Sequence, residues 1–170
     1  IESLSAASYQ DEKCKRSFRI IADHLRGASF MIAAGVLPSN TEAGYILRRI
    51  IRRTVRHMDV LGMEEGTLHT LSTIIVSQFG EHYTELKDFE TSIAEIIKDE
   101  EVRFRETIKK GMKEFERMLR DNQVTAEEAF TLYTTYGFPV EMTEELAAER
   151  NLTVDTEGFH HLMSKHQENS

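Results

Sequence analysis

Apolar residues along this chain recur mostly at intervals of three, four and seven, the period of one face of an α-helix. Phe18, Ile21, Ala22, Leu25, Ala28, Phe30 and Ile32 mark a first helix over 16–34, which Gly35 and Pro38 stop. Ser39-Asn-Thr-Glu42 has the form of a capping box, with the Ser39 hydroxyl serving first-turn amides and Glu42 reaching back. It opens a helix over about 41–61, ended by Gly62. Leu68, Leu71, Ile74, Ile75 and Phe79 predict a short helix over 67–79. The segment 81–120 has no proline and a single glycine, and Tyr83, Leu86, Phe89, Ile93, Ile97, Phe104, Ile108, Met112, Phe115 and Leu119 form one stripe. One long amphipathic helix of roughly 50–60 Å is expected, its other faces solvated and laced with i, i+4 ion pairs.

Thr125-Ala-Glu-Glu128 is a second capping box, opening a helix that ends at Gly137. Phe138-Pro139 forces an extended link, Thr143 is placed to cap a helix over 144–150, 151–154 reads as extended, and 156–166 reads as helical. The pattern predicts an all-α or mainly α fold, with at most a minor β element near the C-terminal part. Four stretches follow: an N-terminal flank at 1–15, a first helical subdomain at 16–123, a smaller one at 124–166, and a polar tail at 167–170.

Composition narrows the classes. At 170 residues and 40% hydrophobic content the chain is long enough to bury a core. No stretch approaches the ~20 apolar residues of a membrane helix. The one cysteine, Cys14, excludes an intrachain disulfide framework and a Cys-rich zinc module, and fits a reducing, cytoplasmic setting. No signal peptide is visible; with Ile1 at the start and Gln167-Glu-Asn-Ser170 at the end, the chain reads as a segment of a longer protein. Neither a P-loop nor a dinucleotide fingerprint occurs. His160, His161 and His166 read as surface histidines, and Asp23, His24 and Arg26 as a buried ion-pair network. No catalytic residue and no metal ligand is expected.

Against a formal net charge of −8, the run Gly44–His57 holds five arginines and one histidine with no acid. Concentrated basic charge of this kind points to a polyanionic partner. On a helical wheel Leu47, Ile50, Ile51, Val55, Met58 and Leu61 share one half. Arg48, Arg52 and Arg56 form a row on the other, with Arg49, Arg53 and His57 beside them and Tyr45 between. The arginines either pair with carboxylates of the acidic remainder, such as those of 81–128, or meet phosphates. Exclusive use of arginine, whose fork suits bidentate phosphate contacts, and the lack of interleaved acids favour phosphate.

Three long motifs and one short segment resemble the bacterial-type alanyl-tRNA synthetases. Arg19-Ile-Ile-Ala-Asp-His-Leu-Arg26 is similar to that family's R-[VI]-I-A-D-H-[IL]-R segment. Gly35-Val-Leu-Pro-Ser-Asn40, followed by Gly44-Tyr-Ile-Leu-Arg-Arg-Ile-Ile-Arg-Arg53, resembles its P-S-N and G-Y-[VI]-L-R-R-I-[IL]-R-R block. Leu132-Tyr-Thr-Thr-Tyr-Gly-Phe-Pro139 resembles its L-Y-D-T-Y-G-[FI]-P block, and Asn151-Leu-Thr-Val154 its R-N-[IL]-x-V. Order and spacing hold from about 16 to 166.

The resemblance implies the helical middle domain that recognises the acceptor stem of tRNA(Ala). The family ligates alanine to its tRNA with ATP. Its class II catalytic core lies upstream and is expected as a same-chain partner; its zinc-bearing editing domain lies downstream. No cofactor is expected within this segment, while ATP, Mg and a zinc ion are expected of a full-length parent; neither DNA nor a membrane is an expected partner. The family reads a G·U wobble pair through the Asn of P-S-N and the Asp of L-Y-D-T-Y-G, which correspond to Asn40 and Thr134. The A-form minor groove is wide and shallow, and a wobble leaves the guanine 2-amino group there without its usual partner. An amide donates and accepts, whereas a hydroxyl accepts without bringing charge. At Thr134 the pair is then read more weakly, or Glu141 compensates, or dependence on the wobble differs. Arg48, Arg49, Arg52, Arg53 and Arg56 are the candidates for phosphate contact or domain docking. The alternative from a different class is a protein-interaction module whose arginine face docks on an acidic partner.

Overall fold

Eight α-helices, a 3-10 turn at Glu2–Leu4 and two short strands make up the described residues of the computed structural model, which are 1–119 and 123–168. The expected end of the long helix at 120 and the end of the polar tail at 169–170 lie outside them. The fold is mainly α, as the periodicity predicts. The chain divides into two compact units, Ile1–Arg103 and Phe104–Ser170. This boundary falls inside a continuous helix, 20 residues before the one expected at 123–124.

In the first unit, α1 (Glu12–Ala33) begins earlier than expected because the Asp11 side chain accepts from the Lys13 amide at 3.0 Å. Helix α2 (Glu42–Val60) lies against α1, and α3 (Leu68–Phe79) and α4 (Thr84–Asp88) pack on α1 as well. Phe18, Ile21, Leu25, Ala28 and Ile32 of α1 are buried, as are Leu47, Ile51, Val55 and Met58 of α2 and Leu68, Leu71 and Val76 of α3. Each such large side chain contributes about 1.5–3 kcal/mol through loss of apolar surface to water.

The single helix expected over 81–120 is two helices, α4 and α5 (Glu90–Met118). Residues 81–83 form a turn in which the His82 and Tyr83 amides both donate to the Phe79 carbonyl, at 3.1 and 3.0 Å. A break follows at Phe89, with φ −107° and ψ 14°. Tyr83 and Phe89 stay nearly half exposed, while Leu86, Ile93 and Ile97 are fully buried. Periodicity reports which face is apolar and is blind to a one-residue interruption between two helices of similar phase. The knot at Asp23 and Arg26 also differs from expectation: their 2.9 Å ion pair lies on the surface.

The second unit holds the rest of α5 with β1 (Gln123–Val124), α6 (Ala126–Tyr136), α7 (Val140–Ala148), β2 (Thr153–Val154) and α8 (Thr156–Glu168). The capping box at Thr125 forms: its hydroxyl accepts from the Glu128 amide at 3.3 Å, and Glu128 accepts from the Thr125 amide at 2.9 Å. Gly137 ends α6 in the left-handed region, φ 69°, where glycine carries no Cβ penalty. The two strands pair in parallel, Gln123 with Thr153 and Val124 with Val154. Thr143 is no cap; it is buried within α7, which starts straight after Pro139. Proline's fixed φ already suits a helix entrance, so the helix needs no hydroxyl to begin.

Candidate nucleic-acid interface

The capping box expected at Ser39 does not form. Thr41 is the N-cap of α2 and makes no side-chain capping bond. The Ser39 hydroxyl instead donates to the Thr41 carbonyl at 2.9 Å and accepts from the Thr41 amide at 3.3 Å, closing a small turn on itself. Glu42, the intended return partner, sits at φ 50°. The reason is the path of the backbone: Ser39 folds back on the helix it precedes, its amide donating to the Gly44 carbonyl at 3.1 Å. Asn40 is left exposed at the mouth of the arginine helix and does not act as the cap.

The Asn40 Oδ1 accepts a hydrogen bond from Nη1 of Arg48. Arginine only donates, so the atom it meets must be the amide oxygen, and the NH2 group faces away. Nη2 of the same guanidinium donates to the Pro38 carbonyl at 3.4 Å. Behind it lies Glu100, whose side chain is 1% exposed; its Oε1 accepts from Arg52 Nε at 2.7 Å and stands 3.5 Å from Arg48 Nε. The other arginines on the helix are distributed differently. Arg49 lies over the Tyr45 ring, 5.8 Å from its centroid. Arg53 Nη1 is 3.2 Å from His24 Nε2. All five arginines are half-buried, Arg56 included. His57, expected on the basic row, is buried with Nδ1 3.0 Å from the Ser17 hydroxyl.

Burial lowers the His24 pKa, and repulsion from Arg53 lowers it further; Asp23 works the other way. Since arginine only donates, the 3.2 Å contact requires Nε2 of His24 to accept, which is the neutral imidazole. Nδ1–H then faces Asp23 Oδ2 at 3.6 Å.

Thr134 lies in the second unit, exposed on α6, and its hydroxyl donates to the Phe130 carbonyl at 2.8 Å. With the proton committed to backbone, the oxygen offers only lone pairs outward. Glu141 is half-buried in the first turn of α7 with Oε2 buried.

Two acids escaped the reading of the sequence. Glu100 and Glu101 are both 1% exposed. Glu101 accepts from the Gly66 and Leu68 amides at 2.9 and 3.2 Å, and so serves the N-terminus of α3, where Thr67 makes no side-chain cap. The available signal was the seven-residue gap in the apolar stripe between Ile97 and Phe104. Positions 100 and 101 fall inside that stripe and carry acids. Among the described residues, no cluster of three or more His, Cys, Asp or Glu side chains is placed to hold a metal, and no helix is long and apolar enough to cross a membrane.

The sequence model of the family described as tRNA synthetases class II (A) matches residues 1–170. The chain belongs to that family. Among its relatives, an alanine–tRNA ligase of Saccharophagus degradans is 44% identical over 168 residues, covering 97% of this chain and 19% of the relative. Another, from Rickettsia prowazekii, is 43% identical over 162 residues, covering 93% of this chain and 18% of the relative. The chain thus spans about a fifth of the length of these relatives. The alanyl-tRNA synthetase resemblance carried by the three motifs extends over nearly the whole chain.

Proposed function

We propose that this chain recognises the acceptor stem of tRNA(Ala) on behalf of an alanine-specific class II synthetase, with Asn40 as the reader of a G·U pair. The observation that carries this reading is the state of Asn40. It is exposed and relieved of capping, and Arg48 takes one lone pair of its amide oxygen, leaving the NH2 and the other lone pair outside that contact. That is the mixed donor and acceptor set a shallow minor groove demands. Thr134 offers a second, uncharged acceptor. Arg48, Arg49, Arg52, Arg53 and Arg56 are the candidates for phosphate contact or domain docking, and Arg48 and Arg52 also face the carboxylate of Glu100. On this reading, ATP-dependent ligation with ATP and Mg is the work of the class II core expected in a longer parent, and the zinc ion belongs to the expected editing domain.

The test is alanylation by the protein that carries this chain, compared on acceptor stems with G·U and with G·C. Asn40→Ala is expected to remove most of the preference, of the order of tenfold or more for a lost base-edge contact. Equal rates on both stems with the unaltered protein would sink the assignment. Binding that weakens with salt, and less steeply after Arg49→Gln/Arg56→Gln, is expected of phosphate contacts. No tRNA binding at low salt would favour docking of the arginine face on an acidic protein.

A further inference from the structure

We infer that Glu100 is a positioning residue for stem recognition, acting through Arg48 on the Asn40 amide; this rests on Asn40 being the reader. A carboxylate that is 1% exposed is a fixed negative charge inside the first unit. It engages its two arginines differently. Arg52 is held by a hydrogen bond, Nε to Oε1 at 2.7 Å. Arg48 is held by charge: its buried Nε stands 3.5 Å from the same oxygen without making a hydrogen bond, and Oε2 accepts none. The guanidinium of Arg48 is thereby anchored at Nε while both terminal nitrogens reach the loop before α2. Nη1 takes the Asn40 oxygen and Nη2 the Pro38 carbonyl. Arg48 thus bridges a buried charge to the exposed loop 38–40.

Two consequences follow for recognition. An exposed asparagine would ordinarily sample several rotamers and both faces of its amide. Held at its oxygen by a donor-only partner, it keeps one amide arrangement, with the NH2 and a single acceptor lone pair outside that contact, before RNA arrives. Preorganisation of this kind lowers the entropy lost on binding and sharpens discrimination between base pairs. Arg48 acts as a brace for the reader rather than as one more phosphate ligand.

Glu100→Gln keeps the shape and removes the charge that holds Arg48. Arg48→Lys keeps a charge but replaces the fork with a single point, which cannot span Glu100 and Asn40 together. In the whole protein, each variant is expected to reduce the G·U over G·C preference by about tenfold. Combined with Asn40→Ala, Glu100→Gln should add nothing, because both act through one amide. Hydrogen exchange of the peptide spanning 36–47 should accelerate in both variants, with the peptide spanning 17–28 of α1 unchanged.

An unaltered preference in Glu100→Gln, where Asn40→Ala loses it, overturns the brace and leaves the reading intact. Multiplicative losses in the double variant also overturn it. If Asn40→Ala keeps the preference, the reading itself fails, and exchange decides the brace alone. Faster exchange in both variants then upholds Glu100 as the anchor of the loop, and unchanged exchange refutes it.

Discussion

Gly44 and Ser39 approach so closely that a Cβ on Gly44 would overlap the Ser39 hydroxyl and the Leu37 carbonyl, and would stand 2.9 Å from the Ser39 Cβ. The glycine sits in the first turn of α2, and its missing side chain is the space into which the Pro38-Ser39-Asn40 loop folds. Gly44→Ala must push the loop off the helix. Overpacking of this kind costs about 1–3 kcal/mol. The expected result is a modest drop in melting temperature with a larger loss of G·U preference, measured on the same preparation. A variant that keeps its full preference would show that the loop's seat on the helix does not matter for recognition.

Removing Arg52 leaves Glu100 buried with its hydrogen-bonded partner gone. Stranding one member of a buried ion pair costs about 3–5 kcal/mol, an upper bound here because Arg48 stays 3.5 Å from the same oxygen, whereas replacing Arg52 and Glu100 together is milder. Arg52→Ala is therefore expected to destabilise strongly in denaturant titrations, and Arg52→Met/Glu100→Leu to recover much of the loss. Equal destabilisation by the single and double variants would contradict the buried pairing.

His24 has its pKa lowered from 6.5, first by burial and then by Arg53. Below that value the unfolded chain binds more protons than the folded one, so stability rises with pH across the window between the folded pKa and 6.5. Above the window this contribution is complete; as pH falls through it, stability is lost. His24→Gln should flatten the decline in melting temperature between about pH 7 and pH 5. An unchanged slope would place the acid sensitivity elsewhere.

Gly111 lies in α5 with Phe138 pressed against it; a Cβ there would stand 2.7 Å from Phe138 Cζ and 3.0 Å from Tyr136 Cβ. Alanine would gain about 1 kcal/mol of helix propensity over glycine at this position. Forcing the Phe138 ring aside outweighs that gain, since overpacking costs about 1–3 kcal/mol and the ring is fully buried. Gly111→Ala is expected to lower the denaturation midpoint; a rise would mean the ring relocates freely.

Thr134→Asp restores the acidic type found in the resembled motif. On the exposed face of α6, near its C-terminal end, an acid costs about 0.3–1 kcal/mol against the helix dipole. A severalfold gain in G·U preference is expected alongside that small loss, from charge-assisted acceptance of the guanine amino group. No change in preference would remove position 134 from the recognition surface.

Periodicity and composition alone determined the mainly α class and the approximate place of most helices, because burying one face leaves a 3.6-residue imprint on the chain. Local chemistry likewise determined the Thr125 capping box, whose partners lie within four residues of each other. The same local logic failed at Ser39, where the deciding neighbour is a backbone approach at Gly44. It failed again at 81–89, where the turn depends on where α4 must pack. The arginines were legible as a basic face, and Asn40 as a candidate by resemblance. Only the tertiary structure decided which neighbour each arginine meets. A carboxylate that is 48 residues from Arg52 in sequence comes to lie 2.7 Å from it, and charge acts across space without regard to chain separation.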